Sequence, residues 1–281
     1  MSAQDTETTT PPAVTEVIVG QKNVAKAPWN AVSLVFANAD DRKAINFGSA
    51  SIVRMVDGRL AAITAGHVVL DPKKKINGTA SLMSVYPGTY GVKSDHPNDP
   101  NSSKTILSYS QFLIAKQCIV HDKFKAAPYD QLSVSWDIAI LIFDKSATIK
   151  GDPLVWADAG GVLTTTPAAK VYSVTGHRDF GGADFDSLTK MRHSRVTRHT
   201  ETVKNLITYL APGTSLGKGM SGGPLLNVWF DKPDQARASS VYGHHVKSSS
   251  KETAKSPAPV TWFGGLKYTG EIADWLKKNG L

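Results

Sequence analysis

Gly219-Met220-Ser221-Gly222-Gly223-Pro224, running on into Leu225-Leu226-Asn227-Val228-Trp229, is where the fold is decided. Glycines crowd the serine because the backbone must turn tightly there while its amides stay open to an approaching oxygen. The Gly-x-Ser-x-Gly pattern also fits a strand that turns straight into a helix after the serine. Pro224 and the apolar, strand-like run behind it argue against that continuation. The turn therefore joins strands, and the surrounding fold reads as all-β.

Two upstream stretches supply what a serine on such a turn needs. A hydroxyl is a poor nucleophile until an adjacent base takes its proton, and the base works only when a third group holds its tautomer and orientation. His67 closes the apolar run Leu60-Ala61-Ala62-Ile63-Thr64-Ala65-Gly66, which carries the imidazole to a barrel rim. Asp137 stands between Trp136 and Ile138-Ala139-Ile140-Leu141-Ile142-Phe143, a charge at the mouth of an otherwise apolar strand. A carboxylate buried there needs hydrogen-bond donors, and the ring N–H of His67 is the expected one. Asp122 and Asp130 are the rivals for that place. The reading is Ser221 as nucleophile, His67 as base and then acid, and Asp137 as its orienter, with the amides of Gly219 and Ser221 as the oxyanion hole. His96, His121, His177, His193 and His199 lack such a setting and are expected to be structural or exposed.

At 281 residues and 41% hydrophobic, the chain can bury one substantial core or two modest ones, and two barrels of roughly a hundred residues each fit ordinary domain sizes. No apolar run approaches the roughly twenty residues that span a bilayer, and Met1-Ser2-Ala3-Gln4-Asp5-Thr6-Glu7 lacks the basic-then-apolar pattern of a secretory signal. Cys118 is the sole cysteine, which excludes an intrachain disulfide and a thiolate zinc cluster. It is expected as a small buried apolar residue of the strand-like run Ile114–Val120. A reducing, cytoplasmic compartment follows, and no metal or other cofactor is implied. The net charge of +8 favours polyanions and admits weak RNA binding through a basic surface. Lys73-Lys74-Lys75 nonetheless reads as a solvated loop tip, since no aromatic residues interleave it as a single-strand binder requires.

Composition sets apart a polar flexible tail (1–16), two strand-rich stretches (17–146 and 167–268) with a linker (147–166) between them, and a terminal helix (269–281). Short β-branched runs at 31–36, 49–56, 59–64, 81–86, 168–174, 203–210 and 224–229 are the predicted strands, and Asp57-Gly58 is a hairpin turn. In the helix, Thr269 is the expected N-cap, Asn279-Gly280 the stop, and Ile272, Trp275 and Leu276 the buried face. Asp95–Ser103 and Ser248–Pro259, crowded with Ser, Pro, Asn and Lys, are expected to be the weakest ordered segments.

Together these motifs resemble the chymotrypsin-like superfamily over most of the chain. Ile18-Val19-Gly20 and Pro28-Trp29-Asn30-Ala31-Val32-Ser33-Leu34 look like that family's mature start and first strand. The resemblance implies two packed antiparallel β-barrels with a C-terminal helix, an active site in the cleft between them, and a serine endopeptidase acting on a polypeptide substrate. Three departures carry information. Met220 stands where the trypsin group has an aspartate that receives a freed N-terminal amine, and the secreted enzymes' disulfides are absent. Val241-Tyr242-Gly243-His244-His245-Val246 resembles the Gly-x-His segment of picornavirus-like and sobemovirus-like proteases, where the histidine favours Glu or Gln before the scissile bond. The resemblance thereby implies a pocket of Ser215, Leu216, Gly243 and His245, with Leu216 where those enzymes have threonine and Ser215 replacing a trypsin-like acid. The implied setting is viral polyprotein processing in a host cytoplasm. The alternatives are a cellular trypsin-like housekeeping protease and a barrel scaffold that binds RNA or protein.

Overall fold

The computed structural model describes residues 16–38, 45–70, 82–96, 99–108, 111–126, 133–157, 171–177, 190–198, 205–210, 216, 218–226, 232, 234, 240–251 and 260–281. The chain enters through β1 (Glu16–Val19) and then builds a first barrel from β2 (Val32–Asn38), β3 (Ile45–Arg54), β4 (Leu60–Thr64) and β5 (Leu82–Pro87). An excursion, β6 (Tyr90–His96) and β7 (Asp99–Ser108), forms its own two-stranded sheet. The barrel resumes with β8 (Leu113–Ile114), β9 (Gln117–Val120) and β10 (Ala139–Ile142).

The strand order β8-β5-β2-β3-β4-β10-β9 closes because β8 and β9 are two halves of one bent strand. At the bend, the Ala115 amide donates to Met83 O at 3.0 Å and the Lys116 amide to Ile142 O at 2.9 Å, one bond to each neighbour. The run predicted as a single strand therefore turns a corner, which leaves no open edge there. β4 and β10 are buried on every residue, so their apolar runs do not alternate. Asp57-Gly58 makes the β3–β4 turn as expected, with Gly58 at φ +85°.

After β11 (Val155–Trp156) comes the second barrel, β12 (Val171–His177), β13 (Met191–Arg198), β14 (Leu206–Leu210), β15 (Pro224–Leu226), β16 (Ser240–Lys251) and β17 (Val260–Lys267). The order β13-β12-β15-β16-β17-β14 returns to β13 through the pairs Thr197↔Leu210 and Arg198↔Tyr209, completing a ring. Its interior packs Val196, Ile207, Tyr209, Leu216, Met220 and Leu225. A larger apolar cluster fills the first barrel and runs on through Leu226, Val241 and Leu266 to the terminal helix, so the barrels share a core where they meet.

Among the described residues the α-helices are short: α1 (Gly66–Val69), α2 (Asp122–Ala126) and α3 (Gly270–Lys278). In α3, Ile272 and Leu276 are buried and Trp275 half-buried, as the amphipathic spacing predicts. Thr269 occupies the N-cap position but makes no side-chain cap bond; its carbonyl alone accepts the Ile272 amide at 3.1 Å.

β1 hydrogen-bonds β13 of the second barrel, where Glu16 pairs with Arg192 and Ser194. The 147–166 linker holds β11, parallel to β16, and Leu154 donates to Ile52 O at 2.8 Å, so it is stitched to both barrels. Within the segments expected to be weakest, strand pairing reaches His96, Asp99–Ser103 and 248–251 among the described residues, because backbone pairing there outweighs poor β composition. Lys73-Lys74-Lys75 and residues 1–15 lie outside the described residues.

Candidate active site

Strand register brings His67 to Asp137. Thr64 pairs with Ala139, and continuing that antiparallel register past the end of β4 sets Gly66 and His67 beside Asp137. Asp137 Oδ1 accepts the His67 backbone amide at 2.8 Å and Oδ2 faces His67 Nδ1 at 2.6 Å. The Asp137 side chain is fully buried, while the imidazole is 24% exposed, so the pair runs from the interior to the surface. Gly66 keeps the approach open: a Cβ there would stand 2.8 Å from the Phe124 ring. Asp122, one rival, is an exposed partner of Lys125 on α2; Asp130 lies outside the described residues.

The carbonyl of Asp137 is held from the second barrel, which the sequence did not signal. His244 Nε2 bonds Asp137 O at 2.9 Å, and its Nδ1 meets the Tyr268 hydroxyl at 3.1 Å. Burial pushes the His244 pKa down to about 4, so the ring is neutral at pH 7 and can donate from Nε2 while accepting at Nδ1.

Ser221 sits half-buried on its turn. Gly222 and Gly219 take φ of +84° and +92°, the left-handed region that glycine tolerates. The Gly222 amide donates to His245 O at 2.7 Å, the Gly223 amide to Met220 O at 2.9 Å, and Ser221 O accepts the Ser49 amide at 2.7 Å. The turn abuts the His67 segment at two points. A Cβ on Gly222 would fall 2.3 Å from Thr64 Oγ1 and 2.9 Å from the Ala65 amide nitrogen. One on Gly48 would fall 2.5 Å from Val68 Cγ2 and 2.8 Å from Ser221 O. Residues adjoining the serine and the histidine are thus in contact across the barrels.

Met220 is fully buried in the second-barrel interior, an apolar plug where an acid stands in the trypsin group. Leu216 is buried in the same cluster, Ser215 lies outside the described residues, and Gly243 packs under Leu266. His245 is 1% exposed, its pKa pushed down by burial to about 3, and Nδ1 lies 2.5 Å from the Tyr209 hydroxyl. That hydroxyl also reaches Gly264 O at 3.4 Å, and when it donates to Nδ1 the ring proton lies on Nε2. Tyr209 was not legible beforehand: its partner lies 36 residues away on another strand.

The remaining histidines that can be placed, His121, His177 and His193, are buried framework groups, with His193 bonded to Thr175 Oγ1 at 2.9 Å and edge-on to Trp29. The side chain of His96 and all of His199 lie outside the described residues. Cys118 is half-buried on β9, and burial raises its thiol pKa to about 12. Among the described residues no cluster of His, Cys, Asp and Glu could hold a metal ion, and no helix is long and apolar enough to cross a membrane.

The architecture is the chymotrypsin-like protease fold. The chain is similar to a Glu endopeptidase solved in complex with MPD, at TM-score 0.57 and 14% identity over 95% of this chain and 96% of that one. It is similar to a thermostable serine protease from an extremophilic microorganism, at TM-score 0.56 and 16% identity over 89% and 95% of the two chains. It is also similar to an inactivated protease paralogue of the scabies mite, at TM-score 0.53 and 14% identity over 89% and 94%. No protein-family model and no curated protein sequence matches it. Likeness at such identities establishes the fold; the inactivated paralogue shows that chemistry has to be argued from the site.

Proposed function

We propose that the chain is a serine endopeptidase with Ser221, His67 and Asp137 as its triad. The observation that carries this reading is the two-point grip of Asp137 on His67. Oδ2 accepts a hydrogen bond from Nδ1–H, which leaves Nε2 as the basic nitrogen. His67 Nε2 accepts the Ser221 proton as Oγ attacks the peptide carbonyl, and the Gly219 and Ser221 amides stabilise the oxyanion. The imidazolium protonates the leaving amine; His67 then takes a proton from water as the water attacks the acyl carbonyl and returns it to Ser221 Oγ, breaking the ester and releasing the acid product.

The pocket reading is a preference for Glu or Gln before the scissile bond, with His245 Nε2–H donating to the side-chain oxygen. Its support is the neutral imidazole ordered by Tyr209, and the likeness to a Glu endopeptidase points the same way. Met220 in the core supports activity without a trypsin-type amine switch. The lone cysteine and the Gly-x-His segment support polyprotein processing in the cytoplasm of an infected cell. The +8 charge supports weak RNA association, to be read as salt-sensitive binding of an oligomer.

Cleavage of a peptide library by wild type and His245→Ala tests both levels. Cuts after Glu or Gln that become unselective in the variant support the reading. Wild-type cuts after apolar residues refute the pocket, and no cuts refute the endopeptidase.

A further inference from the structure

We propose that Ser49 is a positioning residue that holds the oxyanion turn from the opposite barrel; the inference rests on the endopeptidase reading. Ser49 lies on β3 of the first barrel and is fully buried. Its amide and hydroxyl nevertheless serve the second barrel. Its amide donates to Ser221 O at 2.7 Å, its hydroxyl donates to Gly219 O at 2.8 Å, and that hydroxyl accepts the His177 backbone amide at 2.8 Å. Its carbonyl accepts the Thr64 hydroxyl at 2.8 Å.

The hydroxyl's direction is determined. An N–H can only donate, so the His177 amide occupies a lone pair of Oγ and leaves the single Ser49 proton for Gly219 O. The two clamped carbonyls belong to the 219–220 and 221–222 peptides, while the donors that face the oxyanion belong to the 218–219 and 220–221 peptides. Clamped and donating planes alternate, so fixing the first pair orients the second. Gly219 is the soft joint, because glycine at φ +92° can swing to other conformations at little steric cost. Met220, fully buried, anchors one side of the joint through its side chain, and the Ser49 hydroxyl anchors the carbonyl of Gly219 itself.

The space around Ser49 is shaped for this contact by missing side chains. A Cβ on Gly176 would stand 2.8 Å from Ser49 Oγ, and one on Gly222 would stand 2.1 Å from Ser49 O. The oxyanion turn is thereby tied to barrel docking.

The test compares wild type, Ser49→Ala and Ser49→Cys, whose thiol donates only weakly. Each is checked for folding by thermal melting, then assayed for kcat, KM, affinity for a peptide boronate that mimics the tetrahedral adduct, and affinity for the cleaved product peptide. In Ser49→Ala, kcat and boronate affinity fall together by about ten- to a hundredfold, less than the about 10²–10³ lost with an oxyanion donor itself. KM and product affinity stay unchanged, and Ser49→Cys falls in between. If Ser49→Ala fails to fold, the Cys variant carries the same comparison. Unchanged kcat and boronate affinity in a folded variant overturn the proposal, as does equal weakening of boronate and product, which marks a general loosening. Wild type that cleaves no peptide and is not modified by a phosphonate overturns the endopeptidase reading first and this inference with it.

Discussion

Asp137 holds His67 at two places at once, the backbone amide through Oδ1 and the ring through Oδ2. Main chain and side chain of the histidine are therefore referred to one buried carboxylate, which fixes ring position and tautomer together. The carboxylate is itself placed by the β4–β10 register and by His244 on its carbonyl.

Asp137→Asn keeps the shape of this contact and destroys its sense, because an amide can present a donor to Nδ1 and trap the proton on Nε2. Turnover of a peptide substrate is expected to fall about 10⁴-fold with the fold intact. Steady-state kinetics alongside a thermal melt make the check. A loss under tenfold would mean that the pair does not serve catalysis.

Tyr209→Phe removes the hydroxyl that orders His245 while leaving ring packing in place. Discrimination for Glu or Gln over an apolar residue before the scissile bond is expected to drop about tenfold, the scale of one hydrogen bond. Competing substrates in a single reaction give the ratio directly.

Acid should destabilise the fold through its buried imidazoles. Burial pushes the pKa of His193 and His245 down to about 3 and that of His244 to about 4, from 6.5. Below pH 6.5 the unfolded chain takes up protons that the folded one refuses. The penalty is thus absent above that pH and grows as pH falls, toward 4 for His244 and toward 3 for His193 and His245, by up to about 1.4 kcal/mol per pH unit for each histidine. Urea denaturation at pH 7, 6 and 5 reports the slope, and His193→Gln should lower it by one proton whatever it does to absolute stability.

The His67–Asp137 contact was legible because both members have a local signature, an apolar strand ending at His67 and a charge opening the strand after Asp137, and the proposal of Ser221 as their partner rests on the glycines around it. Strand runs and turns marked the all-β class, and the pair of barrels was implied by the family resemblance. Partnerships set by register between distant strands were not legible. Nothing near Ser49, Tyr209 or Tyr268 in the sequence announces Gly219, His245 or His244 as a neighbour. The β6–β7 hairpin escaped because main-chain pairing, blind to side-chain type, made strands of a Pro-, Asn- and Ser-rich segment. β1 escaped because four residues cannot say which sheet they will extend.

The proposed chemistry requires Ser221 to be an activated nucleophile. Folded protein treated with a serine-reactive peptidyl phosphonate and mapped by mass spectrometry should carry one adduct on Ser221, absent in Ser221→Ala and slowed at least a hundredfold in His67→Ala. Folded wild type that stays unlabelled, or an adduct formed equally well in Ser221→Ala, would contradict it.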